Sequence, residues 1–248
     1  MKSCVFAGPT LYQRETYGLS VLPPARLGSA FWAWRNGYHR IAIVDGYFGS
    51  IPSIWHKELL YVISQGVQVW GAGSIGALRA AELWKYGMGG VGKIWRLYKK
   101  GVITDDDEVC VTHAPQYMDY QPLTEALVNV RLSVRALRRY GMITVQQESI
   151  LIETFKNLHF SERSNRNLRL CFSRVLGSNT HLKVWKVYSR ISRDQKGMDA
   201  DSLVRGLANE SLPSMPKQDW VFPETLHWRR QFVERLGDLP DGDKDPFF

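Results

Sequence analysis

Short runs of apolar residues alternate with longer runs of helical period through the first hundred or so positions. Val5-Phe6-Ala7 is apolar and breaks at Gly8-Pro9-Thr10, a strand followed by a turn. Arg40-Ile41-Ala42-Ile43-Val44 is a β-branched run that stops at Asp45-Gly46. Trp55 to Gln65 carries a helical pattern and ends at Gly66. Val67-Gln68-Val69-Trp70 predicts the next strand. Gly71-Ala72-Gly73-Ser74-Ile75-Gly76 then turns into a helix from Ala77 to Tyr86, closed by Gly87. Val109 to Thr112 reads as a further strand after the acidic run Asp105 to Glu108. This alternation predicts an α/β fold, a mostly parallel sheet flanked by helices.

From residue 123 the period becomes purely helical. Leu127, Val130, Val134 and Leu137 form an amphipathic stripe, with Arg131, Arg135 and Arg138 on a neighbouring face and Gly141 as the stop. Ser149 to Leu158 and Leu168 to Tyr188 also read as helices. Prolines accumulate from about Asn209, and the run Gly237 to Asp245 lacks apolar side chains. The expected organisation is an α/β core over residues 1–148, a helical C-terminal extension over 149–236 and a flexible tail over 237–248.

Composition narrows the class. In 248 residues, 44% are hydrophobic and 23% charged, both near globular averages, which excludes disorder or a coiled coil as the main state. No apolar run is long enough to cross a membrane. The stretch after Met1-Lys2-Ser3 is too short for a signal peptide. Cys4, Cys110 and Cys171 are too few and too scattered for a disulfide framework or a zinc finger. A cytoplasmic, reduced protein is expected, with no membrane partner and no metal. The net charge of +8 is concentrated: residues 125–190 hold twelve basic and four acidic side chains. Such a surface attracts acidic partners. Nucleic acid ranks low among them, because no base-reading motif accompanies the charge.

Three readings fit the turn at Gly71–Gly76. The Gly-x-Gly-x-x-Gly spacing after a strand is that of a dinucleotide site, and a nicotinamide-dependent oxidoreductase follows from it. The acidic residue that should hold the ribose about 20 positions on is missing, since residues 88–104 contain neither Asp nor Glu. Alternatively, Ser74 is a nucleophile on a strand–turn–helix corner, with the N–H groups of Ile75 and Gly76 facing an oxyanion. The serine also suits a plain helix cap, and the turn suits an anion nest without chemistry. A nucleophilic serine needs a base, and Lys57, His56, His39 and His113 are the candidates. Lysine serves only when neutral, which requires burial to lower its ordinary value of ~10.4 by several units.

The chain resembles the TfuA-like family. The matching segments are VFAGPTL (5–11), PPA (23–25), IVDGYF (43–48), WHKELL (55–60), GVQVWGAGSIGALRAAEL (66–83), YGMGGVGKIW (86–95), DDEV (106–109) with His113, and TEALVNVRLSV (124–134). Gly73 and Ile75 depart from the residues that family members often carry beside the serine. The resemblance implies a partner of YcaO enzymes, which activate peptide backbone amides in the thioamidation of ribosomally synthesised peptides. It implies hydrolysis of the thiocarboxylated end of a ubiquitin-like sulfur-carrier protein, releasing sulfide beside YcaO. Ser74 and Lys57 are the implied catalytic pair, without cofactor, and the precursor peptide is met through YcaO. Gly73, Ile75, Gly76, His56, Glu58, Asp45, Arg79, His113, Asp107 and Glu108 are expected to line the site. Arg131, Arg135 and Arg138 are expected to bind a partner. The alternative is a non-catalytic adaptor that brings substrate peptide to YcaO.

Overall fold

The computed structural model describes residues 1–49, 51–177, 180–213, 215 and 219–234; the expected tail at 237–248 lies outside the described residues. The chain divides into two compact units, residues 1–102 with 197–248, and residues 103–196.

The first unit is built on a parallel sheet. Its strands are β1 (Ser3–Phe6), β2 (Ser20–Leu22), β3 (Arg40–Ile43), β4 (Gln68–Gly71) and β5 (Gly89–Gly90), in the order β2-β1-β3-β4-β5. β1 and β3 are buried almost throughout, as strands covered on both faces must be. The connections carry α1 (Ser29–Arg35), α2 (His56–Ser64) and α3 (Ile75–Leu83). Right-handed crossovers place these three helices on one face. The other face is covered by a helix from much later in the chain, Gln195–Ala208. Its Ala200, Leu203, Val204 and Leu207 pack on Val5, Ala42, Val44, Trp70 and Ala72. The same helix supplies Asp199, whose carboxylate accepts the Ile94 N–H at 2.7 Å near the start of α4 (Gly92–Lys99).

Register aligns Phe6, Ile43 and Gly71, so the turns after β1, β3 and β4 share the carboxyl edge. The chain leaves β1 for β2 on one side and returns to β3 on the other. The switch point of the sheet therefore falls between β1 and β3, where ligands of doubly wound folds gather.

A C-terminal segment completes this unit. Leu226–Trp228 is a short helical turn that widens into a π-helix over Arg229–Glu234. Trp228 and Phe232 stack at 4.1 Å and join Phe31, Tyr61, Phe222, Trp34 and Trp55 in an aromatic cluster.

The second unit is helical: α5 (Leu127–Arg139), α6 (Val145–Lys156), α7 (Asn165–Leu176) and α8 (His181–Ile191). The predicted stripe Leu127, Val130, Val134, Leu137 is fully buried with Leu151, Phe155, Leu168 and Phe172. The run 168–188 is two helices, not one, because Gly177 takes a left-handed φ of +75° and ends α7.

The strand expected over Val109–Thr112 does not form. Asp106–Glu108 makes a single 3-10 turn, and the following residues run as a loop. Donors other than a neighbouring strand meet that loop: Leu123 N–H donates to the Thr112 carbonyl at 2.8 Å, and the buried Lys196 ammonium donates to the Val109 carbonyl at 2.7 Å. Among the described residues, no helix is long and apolar enough to cross a membrane.

Candidate active site at the carboxyl edge of the sheet

Ser74 sits where the sequence places it, at the corner between β4 and α3. The corner is sharp because two glycines remove side chains that would not fit. A Cβ on Gly71 would lie 1.9 Å from the Gly76 carbonyl oxygen, and one on Gly76 would lie 1.8 Å from that of Ile43. Gly73 adopts φ +70°, and the Ser74 N–H folds back to the Ala72 carbonyl at 2.7 Å, a three-residue γ-turn. The Gly-x-Gly-x-x-Gly spacing is thus accounted for by close helix–strand packing and one positive φ.

Ser74 is the N-cap residue of α3, yet its hydroxyl makes no capping hydrogen bond, so the plain cap role is not the one it fills. Its carbonyl accepts from Ala77 N–H at 2.9 Å. The Gly76 N–H donates to the Val44 carbonyl at 3.2 Å, which occupies the second of the two expected oxyanion donors. The Ile75 amide, at the first helical position, is the remaining one. Ser74 is buried at 7% exposure, and α3 directs its positive end at this corner.

Lys57 occupies the first turn of α2, on the crossover that leads into β4. No hydrogen bond joins it to Ser74 among the described residues. Its ammonium instead donates to Thr225 Oγ1 at 2.9 Å and lies 5.6 Å from the centroid of the Phe222 ring. Thr225 and Phe222, both from the C-terminal segment, were not legible as neighbours of Lys57, because nothing local in a Pro-rich stretch signals a contact 168 residues away.

His56 points elsewhere, as adjacent helical residues must. Its Nε2 lies 2.7 Å from Glu82 Oε2, and Arg79 donates to the same oxygen at 2.7 Å. Arg79 also donates to the Ile54 carbonyl at 3.3 Å, so the trio ties α3 to the start of α2.

Glu58 does not reach Lys57. It is fully buried and accepts from the Gly28 and Ala30 amides at 2.8 and 3.1 Å and from its own helix cap at Trp55, clasping the start of α1 to that of α2. Burial pushes its carboxyl from an ordinary 4.5 up to about 8, against the pull of those three N–H groups. Folded Glu58 therefore keeps a proton that the unfolded chain has already lost. The contribution of Glu58 to stability is expected to be fully present below pH 4.5 and to be lost as pH rises through about 8. Urea unfolding across that window should show the slope, and Glu58→Gln should flatten it.

Asp45 lies at the switch point but is committed to the fold. Its carboxylate accepts from Gly8 N–H and Thr10 N–H at 2.9 Å each and from the Thr10 hydroxyl at 2.6 Å. The other expected lining residues belong to the second unit. His113 forms a lone bridge with Pro122, its Nδ1 2.8 Å from the Ala114 carbonyl. Asp107 pairs with the buried guanidinium of Arg163. Glu108, also buried, is held bidentately by Arg131. Asp105 faces Lys156 at 2.6 Å, so three of the four acids in the run Asp105–Glu108 are ion-paired. Arg135 and Arg138 both pair with Glu148. The three arginines expected to dock a partner thus have internal carboxylates.

Cysteine is a poor rival to Ser74 as nucleophile. Cys4, Cys110 and Cys171 are buried, and burial raises all three thiols, that of Cys110 to about 12. Among the described residues there is no group of three His, Cys, Asp or Glu side chains arranged to hold a metal ion.

Against known proteins, the family model described as TfuA-like protein matches residues 45–164, which include Lys57, Ser74 and His113. No curated protein matches the chain.

Proposed function

Residues 45–164 belong to the TfuA-like family, and from that membership we propose that the protein supplies sulfide to a YcaO enzyme during peptide backbone thioamidation. The observation that carries the reading is Ser74 itself, a buried residue whose hydroxyl makes no capping bond, at the start of a helix on the carboxyl edge of a parallel sheet.

In the proposed reaction, neutral Lys57 takes the Ser74 proton, and Oγ attacks the carbonyl carbon of a thiocarboxylate at the end of a small sulfur-carrier protein. The Ile75 amide and the end of α3 face the developing oxyanion. The Lys57 ammonium passes the Ser74 proton to the sulfur as the C–S bond breaks, so hydrosulfide leaves with the bonding pair and Lys57 is neutral again. Water then attacks the acyl-serine with Lys57 again as base, returning the carrier carboxylate and free Ser74. No cofactor enters the scheme.

One observation favours the adaptor reading: the Lys57 amine is engaged by Thr225, not by Ser74. The Lys57 ammonium makes a charge-assisted bond here, worth about 1.5–3 kcal/mol, and the hydrolase reading requires the amine to leave Thr225 at that cost. The isolated protein is expected to release sulfide from a thiocarboxylated carrier, and Thr225→Val should raise the rate by about tenfold or more. A chain that binds YcaO yet releases no sulfide, with or without Thr225, is an adaptor.

A further inference from the structure

The basic excess of the chain is not one surface. On α5 and α6 four of the five cations have partners, all but Arg139: Arg131 with Glu108, Arg135 and Arg138 with Glu148, Lys156 with Asp105. On α7 and α8 they have none among the described residues. Residues 163–193 contain eight basic side chains and no Asp or Glu. Arg163 is buried against Asp107, but Arg166, Arg169, Arg174, Lys183, Lys186 and Arg190 are exposed and form no ion pair among the described residues. So many like charges on two adjacent helices repel one another, a cost that a counter-charge from outside would remove.

Between these helices runs a groove of about 560 Å³, lined by Asn165, Arg166, Arg169, Leu170, His181 and Trp185 among others. Its wall is amphipathic. Leu170 is 47% exposed, although it sits on a helix whose apolar stripe is otherwise buried. α7 and α8 lie outside the residues matched by the TfuA-like model.

We infer that the α7–α8 groove docks an acidic peptide segment of a partner protein, its carboxylates met by Arg166 and Arg169 and an apolar side chain seated against Leu170 and Trp185. The planar guanidinium fork suits carboxylates. Nucleic acid fits less well. Single-strand binders stack successive bases on successive open rings. Here Trp185 is the aromatic in the groove, and one of its faces is covered by Tyr188 at 5.2 Å and 23°. The inference stands independently of the sulfide chemistry.

The test is fluorescence anisotropy on the full chain. The probes are a short labelled peptide of Asp, Glu and Leu, its Asn/Gln/Leu counterpart, and an oligouridylate. The acidic peptide should bind, weaken as salt rises, and lose about tenfold in affinity in the Arg166→Glu/Arg169→Glu variant. Lys100→Glu, which reverses an exposed cation elsewhere, should leave binding unchanged. Leu170→Asn should abolish the advantage of a Leu-containing over a Leu-free acidic peptide. All substituted residues are exposed, and circular dichroism reports that the variants remain folded. Equal affinity in the double variant, equal binding of the neutral peptide, or tighter binding of the oligouridylate would each overturn the assignment.

Discussion

Ser74→Ala is expected to lower sulfide release by roughly ten-thousandfold or more, the scale seen when a nucleophile is removed from a covalent mechanism. The fold should survive. The hydroxyl makes no capping bond, so its loss leaves no donor of α3 newly unsatisfied. Lys57→Ala should cost about a hundredfold to ten-thousandfold, the range of a general base. It also removes a partner of Thr225 in the C-terminal segment, so its circular dichroism and thermal midpoint must accompany the rate. Initial rates measured with a sulfide probe decide the matter. Wild-type rates in Ser74→Ala would assign the chemistry elsewhere.

The second large effect is structural. Gly76→Ala should destabilise the protein by about 3 kcal/mol or more, or prevent it from folding, because the clash is with backbone rather than with a movable side chain. The added Cβ would sit 1.8 Å from the Ile43 oxygen and 2.6 Å from its carbonyl carbon, and neither can retreat without tearing β3 from β4. Gly37→Ala is the comparison. It has open space around it and φ +77°, so it should lose only about 1 kcal/mol of left-handed strain. Urea titrations of the two variants give the contrast. A Gly76→Ala protein within about 1 kcal/mol of the parent would mean that the corner is looser than its contacts imply.

The sheet was readable because its strands are buried on both faces and end at glycines. Arg40–Ile43 lies within the predicted run, Gln68–Gly71 is shifted by one residue from Val67–Trp70, and α2 begins one residue inside the expected Trp55. β2 and β5 were not readable: three residues before Pro23-Pro24 and a Gly-Gly pair carry no apolar period. Val109–Thr112 has the apolar content of a strand but pairs with none among the described residues. Its polar groups are met by Leu123 and Lys196, which local pattern cannot foresee. The return of Gln195–Ala208 to cover the sheet is not legible for the same reason: its apolar stripe names a buried face but not the surface that buries it.

The site was legible in part. Strand, glycines and helix put Ser74 at its corner. The pairing of side chains was less so. A carboxylate next to a lysine suggests a mutual role, but Glu58 turns inward to three backbone amides while Lys57 turns to Thr225. The arginine stripe of α5 predicted a surface, and the acids that meet it stand 23 residues before Arg131 and ten after Arg138.

Intact-mass spectrometry of the wild-type protein, quenched soon after mixing with thiocarboxylated carrier, tests the central claim most directly. The expected species is the sum of protein and carrier less hydrogen sulfide, with the adduct mapping to the peptide that contains Ser74. Sulfide released at full rate with no such adduct, or an adduct on any other residue, would contradict it.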